Sequence, residues 1–124
     1  MPYIYRIDAE VGVLFVTTEG TVTQAERIDA MRSWQSHPDY RPGLNTLCDF
    51  TGATSVPSME EIKELVGLMQ RQADVIGRKK LAIITARPIT FGAARQFQTL
   101  LGSGPIEARP FTEREAAWAW LTET

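Results

Sequence analysis

The chain has 124 residues, of which 44% are hydrophobic and 23% are charged, with a net charge of −2. This composition predicts a single globular domain over residues 1–124 and excludes a disordered or fibrous protein. The slightly acidic balance also excludes a general nucleic-acid binder, which needs a basic surface. With one cysteine, no signal-peptide pattern and no run of ~18 apolar residues, we expect a soluble cytoplasmic protein without a disulfide or a membrane span.

The first part of the chain predicts a β-hairpin. Residues 3–8 alternate between two faces, and residues 11–17 are mostly apolar, so both segments are typical of strands. The turn at residues 10–12 is too short for anything but a tight hairpin, and we expect an antiparallel pair that ends at Gly20.

A helix and a loop separate this hairpin from the next strand. Thr21 or Thr23 is expected to cap a helix that runs to about Ser36. Two prolines and a glycine within residues 37–43 predict a loop. The apolar run from Leu44 to Phe50 predicts a short strand that is buried on both faces.

The most strongly periodic segment follows this central strand. Ser58 and Glu61 have the spacing of a capping box at the start of a helix that extends to about Ile76. Gly77 has the position of a C-terminal cap. The small residues between the strand and Ser58 predict a loop at the carboxyl end of a central strand, which is where open α/β sheets usually carry their sites.

The last third of the chain predicts two more strands and two more helices. The basic residues 78–80 are interpreted as a solvated turn before a buried strand at residues 81–85. A helix is expected over residues 88–101, an edge strand over residues 108–111 and a final helix over residues 112–121. Leu100 is expected to face inward in the first of these helices. In the last helix, Thr112 is the expected cap, and the expected inward residues are Ala117, Trp120 and Leu121. The order β-β-α-β-α-β-α-β-α predicts an α/β fold with a five-stranded mixed sheet and four helices.

Several short segments together resemble one known family. They are Gly20-x-Val22-Thr23, His37-Pro38-x-Tyr40-x-Pro42-Gly43, Leu47-Cys48-Asp49-Phe50, Ala82-Ile83-Ile84, Phe91-Gly92-x-Ala94-Arg95 and Pro110-Phe111-Thr112 with the helix behind it. The chain resembles the bacterial SpoIIAA-like (STAS-like) domains, which are relatives of the anti-sigma-factor antagonists. This resemblance implies a single-domain STAS-like fold and regulation through protein binding rather than catalysis. Some members of this branch also resemble CRAL-TRIO lipid carriers.

The resemblance places a phosphorylatable serine at Ser58. The family motif has an aspartate before that serine and a glycine after it, whereas this chain has Pro57 and Met59. The neighbouring Glu60 and Glu61 also repel a phosphate. Ser58 is therefore either a helix cap, which we favour, or a phosphorylation site.

The remaining candidate residues form no catalytic group in the sequence. The predicted loop and pocket residues are Asp49, Thr51, Thr54, Arg87, Phe91 and Arg95. An enzyme would have to combine Asp49, Arg87 and the only histidine, His37, and nothing in the sequence indicates that they meet. Cys48 is interpreted as a core residue. We expect no metal, no cofactor and no enzymatic activity.

Two hypotheses for the function remain open. The leading one is a regulatory module that binds a protein partner or a second copy of itself. Its interface is expected to include Trp118, which lies away from the apolar face of the last helix, or the amphipathic helix that begins at Ser58. The alternative is a carrier of a small apolar or lipid-like ligand in a pocket between helices and sheet. Side chains expected to line such a pocket are Met31, Trp34, Met59, Met69, Phe91 and Phe97.

Overall fold

The computed structural model of the protein describes residues 2–123, and these form one five-stranded sheet. Its strands are Tyr3–Asp8 (β1), Val13–Gly20 (β2), Asn45–Ala53 (β3), Lys79–Ile84 (β4) and Ile106–Phe111 (β5), and they lie side by side in chain order. The β1–β2 pair is antiparallel, and the other three pairs are parallel. The predicted mixed sheet with its antiparallel hairpin is confirmed.

Five helices connect and cover these strands in the described chain. They are Gln24–Gln35 (α1), Met59–Arg71 (α2), Ala73–Ile76 (α3), Pro88–Leu101 (α4) and Arg114–Thr122 (α5). None of them is both long and apolar enough to cross a lipid bilayer.

The prediction of four helices is wrong because the expected helix from Ser58 to Ile76 is interrupted at Gln72. The backbone of Gln72 has φ −102° and ψ 25°, outside the helical range, and its side chain accepts a 3.1 Å hydrogen bond from Gln35 of α1. The apolar spacing continues across this break, since Ile76 is buried. The sequence pattern therefore gives no sign of the interruption, which coincides with the contact between Gln72 and the distant residue Gln35.

Two apolar layers lie on opposite faces of the sheet. Side chains such as Leu14, Cys48 and Ile83 pack against α1, α2 and α4 on one face. Their chain neighbours, such as Leu47 and Ala82, pack against α5 on the other face. This alternation is what parallel strands covered on both faces require.

The end of α5 confirms its predicted inward residues, but its start is different. Ala117, Trp120 and Leu121 are buried as expected. The helix is preceded by Glu113 rather than Thr112, and no side chain caps it. In α4 the predicted inward residue Leu100 is 38% exposed, because this position lies at the solvent side of the last turn.

Candidate functional site

A cavity of about 170 Å³ lies between the sheet and the layer formed by α1, α2 and α4. Its walls are mostly apolar, and the helices contribute side chains that include Met31, Trp34, Ile62, Met69, Ala94 and Phe97. Apolar cavities of about 150 Å³ admit a molecule of the size of benzene. This space is therefore sufficient for a small ligand.

Strand β4 begins with a lysine whose side chain lines this cavity. From Lys79 onward, alternate residues of the strand face the same side of the sheet. The Nζ atom of Lys79 donates a 2.8 Å hydrogen bond to Oγ1 of Thr46. That hydroxyl in turn donates to the carbonyl oxygen of Leu44 at 3.2 Å. Both hydroxyl roles of Thr46 are thus used, one as acceptor and one as donor.

The interpretation of residues 78–80 as a solvated turn is wrong for the two lysines. Lys79 and Lys80 are half-buried and pair with Ile106 and Glu107 of β5, so β4 starts two residues earlier than predicted. The two lysines point to opposite faces, and Lys80 donates to the carbonyl oxygen of Trp120 at 2.9 Å. A signal for this arrangement exists in the sequence, since a strand that includes both lysines must place one on each face.

The Lys79 ammonium has no acidic partner among the described residues. The three ion pairs within residues 2–123 involve other basic side chains, and no Asp or Glu lines the cavity. Burial lowers the pKa of Lys79 to about 8. An ammonium carries three N–H donors, of which the described side chains accept one, at Thr46. The cavity wall therefore contains an uncompensated positive charge.

The other ionisable groups on the sheet side of the cavity are neutral near pH 7. Burial raises the pKa of the Cys48 thiol to about 12. Burial also raises the pKa of Tyr3 to about 12. Because Tyr3 and Cys48 are both neutral, neither can balance the positive charge of Lys79. Cys48 is 7% exposed, which confirms it as a core residue.

The second cation in the wall, Arg27, is compensated. Its guanidinium lies 3.7 Å from Oε1 of Glu61 and donates to the carbonyl oxygen of Val22 at 3.2 Å. A further polar group of the wall is the buried hydroxyl of Thr18, which has no hydrogen-bond partner among the described residues. Arg27 therefore has a carboxylate partner, whereas Lys79 has none within residues 2–123.

The loop residues predicted from the sequence lie outside the cavity wall. Oδ1 of Asp49 accepts hydrogen bonds from the N–H and the hydroxyl of Thr51 at 3.0 and 2.6 Å. Arg87 donates to the carbonyl oxygen of Ala53 at 2.8 Å, so the segment after β4 meets the end of β3. A binding role for the predicted residues stays a prediction: Asp49, Thr51, Thr54, Arg87, Phe91 and Arg95.

Ser58 caps α2 as the sequence predicts. Its hydroxyl accepts a hydrogen bond from the N–H of Glu61 at 3.1 Å, and the Glu61 carboxylate accepts from the N–H of Ser58 at 2.9 Å. This is a complete capping box. Phosphorylation of Ser58 stays a prediction, and it would place a second negative group beside Glu61.

The three residues considered for an enzyme occupy separate settings. Nδ1 of His37 accepts a hydrogen bond from the N–H of Asp39 at 3.0 Å within its own loop. Asp49 forms a 3.5 Å ion pair with Arg114, while Arg87 contacts the backbone of β3. Within residues 2–123 no hydrogen bond or ion pair joins the three, and no cluster of acidic, histidine or cysteine side chains suits a metal ion.

Trp118 lies half-buried on the side of α5 that faces β2. Its ring stacks on Phe15 with centroids 5.8 Å apart, and the guanidinium of Arg6 covers the Phe15 ring at 4.1 Å. Ile4 lies diagonally across from Phe15 on the same face and is 65% exposed. An aromatic and partly exposed surface therefore adjoins Trp118.

Neither the family models nor the curated proteins compared with the sequence give a match. Among solved structures, the chain is similar to that of an uncharacterised DUF3478 family protein with a SpoIIAA-like fold from Shewanella loihica. The two are 18% identical with a TM-score of 0.64, and the likeness covers 96% of this chain and 91% of the other. Identity at this level establishes the fold alone. The protein has a SpoIIAA-like fold, as the resemblance of its sequence segments implies.

Proposed function

We propose that the protein is a non-catalytic binding module that holds a small, mainly apolar ligand in the cavity between the sheet and helices α1, α2 and α4. The observation that carries this proposal is the cavity of about 170 Å³. Protein interiors contain few voids larger than a water molecule. Apolar spaces of this kind between helices and a sheet are typical small-molecule sites, which supports a ligand as the occupant.

The cavity favours the ligand carrier over the protein-interaction module as the leading hypothesis. Of the six side chains expected to line such a pocket, Met59 and Phe91 lie elsewhere, and the others form part of its wall: Met31, Trp34, Met69 and Phe97. Their helical spacing alone did not distinguish a filled core from a lined cavity. The space left between them supports the carrier.

A role in binding rather than catalysis is supported by the settings of the candidate nucleophile and base. The Cys48 thiol has a pKa raised to about 12 by burial, which keeps it protonated. The His37 ring is turned toward the backbone of its own loop. Within residues 2–123, neither side chain has the partner that activates it in a nucleophilic mechanism.

The experiment compares two buried alanines, one in the cavity wall and one in filled core. Ala94 lines the cavity, whereas Ala108 is buried at 3% exposure without lining it. We expect Ala94→Leu to abolish binding of the neutral probe 1-hexanol, followed by NMR of the methionine methyl groups, and to raise the free energy of unfolding by about 1 kcal/mol. Ala108→Leu should lower that free energy by roughly 1–3 kcal/mol, because it overpacks a filled site.

Native mass spectrometry of freshly purified protein is the second measurement. We expect an additional non-covalent mass in the wild type that is lost in Ala94→Leu. If 1-hexanol leaves the wild-type spectrum unchanged and Ala94→Leu is as destabilising as Ala108→Leu, the cavity is not a binding site and the proposal is overturned.

Self-association is the second candidate function, favoured by the surface beside Trp118. Helix α5 packs mainly on β3, β4 and β5, which leaves Ile4 on the β1–β2 part of the same face 65% exposed. A second copy meeting this face would cover Ile4 and the edge of the Trp118–Phe15 stack. Light scattering should then detect a dimer that Ile4→Glu dissociates. A monomer mass at every concentration would exclude this candidate.

A further inference from the structure

The chemistry of the ligand follows from the one charge that the cavity wall leaves unbalanced. The ionisable side chains that line the cavity are Tyr3, Arg27, Tyr40, Cys48 and Lys79. None of them is a carboxylate. Burial raises the pKa values of both tyrosines and of the thiol, so these three are neutral near pH 7.

The two cations of the wall are placed differently. Arg27 has Glu61 beside it, so its charge is compensated within the fold. Lys79 has the hydroxyl of Thr46 as its hydrogen-bond acceptor, and a hydroxyl carries no charge. A counter-charge or further hydrogen bonds stabilise an ammonium that is partly removed from water. No anionic group within residues 2–123 pairs with Lys79, so a ligand that carries one would complete the pairing.

We propose that the cavity binds a short hydrocarbon carboxylic acid whose carboxylate pairs with the ammonium of Lys79. This inference rests on the proposed function, because it assumes that the cavity is occupied by a ligand. The carboxylate accepts the N–H donors that Thr46 leaves free, and the hydrocarbon part lies against Met31, Trp34 and Phe97. Charge-assisted hydrogen bonds of this kind are among the stronger polar contacts in proteins.

The volume limits the length of the acid. A cavity of about 170 Å³ is slightly larger than one that admits the six carbons of benzene. An acid with about six carbon atoms is of this size. Hexanoate is a suitable probe, and 1-hexanol is its neutral counterpart of nearly the same shape.

The test measures the affinities of hexanoate and 1-hexanol for the full chain by calorimetry near neutral pH. We expect the wild type to bind hexanoate at least about tenfold more tightly than 1-hexanol, as a charge-assisted contact predicts. In Lys79→Met this preference should vanish while 1-hexanol still binds. The matched control is Lys80→Met, since Lys80 faces the other side of the sheet and bonds to the Trp120 carbonyl and Glu123.

The outcomes separate this inference from the proposed function. Equal affinities for the two probes, or a preference for hexanoate that survives Lys79→Met, would refute the inference of a carboxylic acid ligand. The proposal of an apolar binding site would still stand. If neither probe binds the wild type, both the inference and the proposed function are wrong. Should Lys79→Met fail to fold, Thr46→Val provides the second variant, and it should reduce the preference for hexanoate because the ammonium loses its anchor.

Discussion

Replacing Lys79 by methionine should make the protein more stable. The lysine places an ammonium among apolar side chains. Within residues 2–123, its hydrogen-bond acceptor is the hydroxyl of Thr46, and no carboxylate lines the cavity. Methionine has a similar length and no charge, so it fills the same space without the desolvation cost. A lysine that lowers stability in the free protein is what a ligand-binding role would explain.

The size of the gain follows from the pKa of Lys79, which burial lowers from 10.5 to about 8. Each pKa unit corresponds to ~1.4 kcal/mol, so the buried charge destabilises the fold by about 3 kcal/mol near neutral pH. The variant also loses the 2.8 Å hydrogen bond to Thr46, a contact with a net value of about 1 kcal/mol. Thr46 keeps its bond to the Leu44 carbonyl. We therefore expect a net gain of roughly 2 kcal/mol.

The gain should depend on pH in one direction. Below pH 8 the lysine is protonated in both the folded and the unfolded chain, so its full cost is present. Between about pH 8 and 10.5 the unfolded chain holds the proton and the folded chain has released it, and the cost disappears. The difference between variant and wild type should thus shrink as pH rises through this range.

Urea denaturation followed by circular dichroism measures this difference at each pH. The raised pKa values of Tyr3, Tyr40 and Cys48 also change stability at alkaline pH, and taking the difference between variant and wild type removes most of their effect. Lys80→Met should lower stability slightly, because it loses contacts to Trp120 and Glu123. A Lys79→Met protein that is less stable than the wild type, or a gain that does not change with pH, would refute the account of Lys79 as an unpaired buried charge.

Three further predictions concern the helix cap, a turn and the ligand. Ser58→Ala should lower the free energy of unfolding by about 1 kcal/mol, whereas Ser58→Asp, which keeps an acceptor for the Glu61 N–H, should stay near the wild type in the same urea assay. Gly77→Ala should lower it by about 2 kcal/mol or more, because its φ is +72° and an added Cβ would lie 2.7 Å from the backbone nitrogen of Gly43. Gly92→Ala in α4 has open space around it and should be neutral or stabilising; equal losses at the two glycines would contradict this. Calorimetry should show hexanoate affinity falling as pH rises through about 8, where free Lys79 loses its proton, with 1-hexanol unaffected; parallel pH curves would contradict the pairing with Lys79.

Much of the fold could be predicted because its signals are local. The capping box at Ser58 depends on residues three positions apart, and Pro88 begins α4 because proline fits the first turn of a helix. The antiparallel hairpin follows from the short turn between β1 and β2. The break at Gln72 was missed because apolar spacing continues through it and its contact with Gln35 joins two separate helices.

The loop residues predicted from the sequence and the cavity lie in different parts of the molecule, for a physical reason. Polar loop residues such as Asp49 and Thr51 at the end of a central strand are the usual signal of a site, and in this protein they bond to each other and to Arg114. A cavity has no local signal, since it is the space that side chains of several elements fail to fill. Met31 and Phe97 have the same helical spacing whether they close a core or line a pocket.

The sequence by itself determined the strands, most of the helices and their order, because hydrophobic period, caps and turn residues act over a few positions. It also determined that Lys79 and Lys80 would point in opposite directions once they joined a strand. The tertiary structure alone decided that three helices cover the face of Lys79, that they leave about 170 Å³ unfilled, and that no carboxylate of residues 2–123 pairs with its ammonium. These are properties of packing between residues far apart in the chain, and the proposed acid-binding site depends on all three.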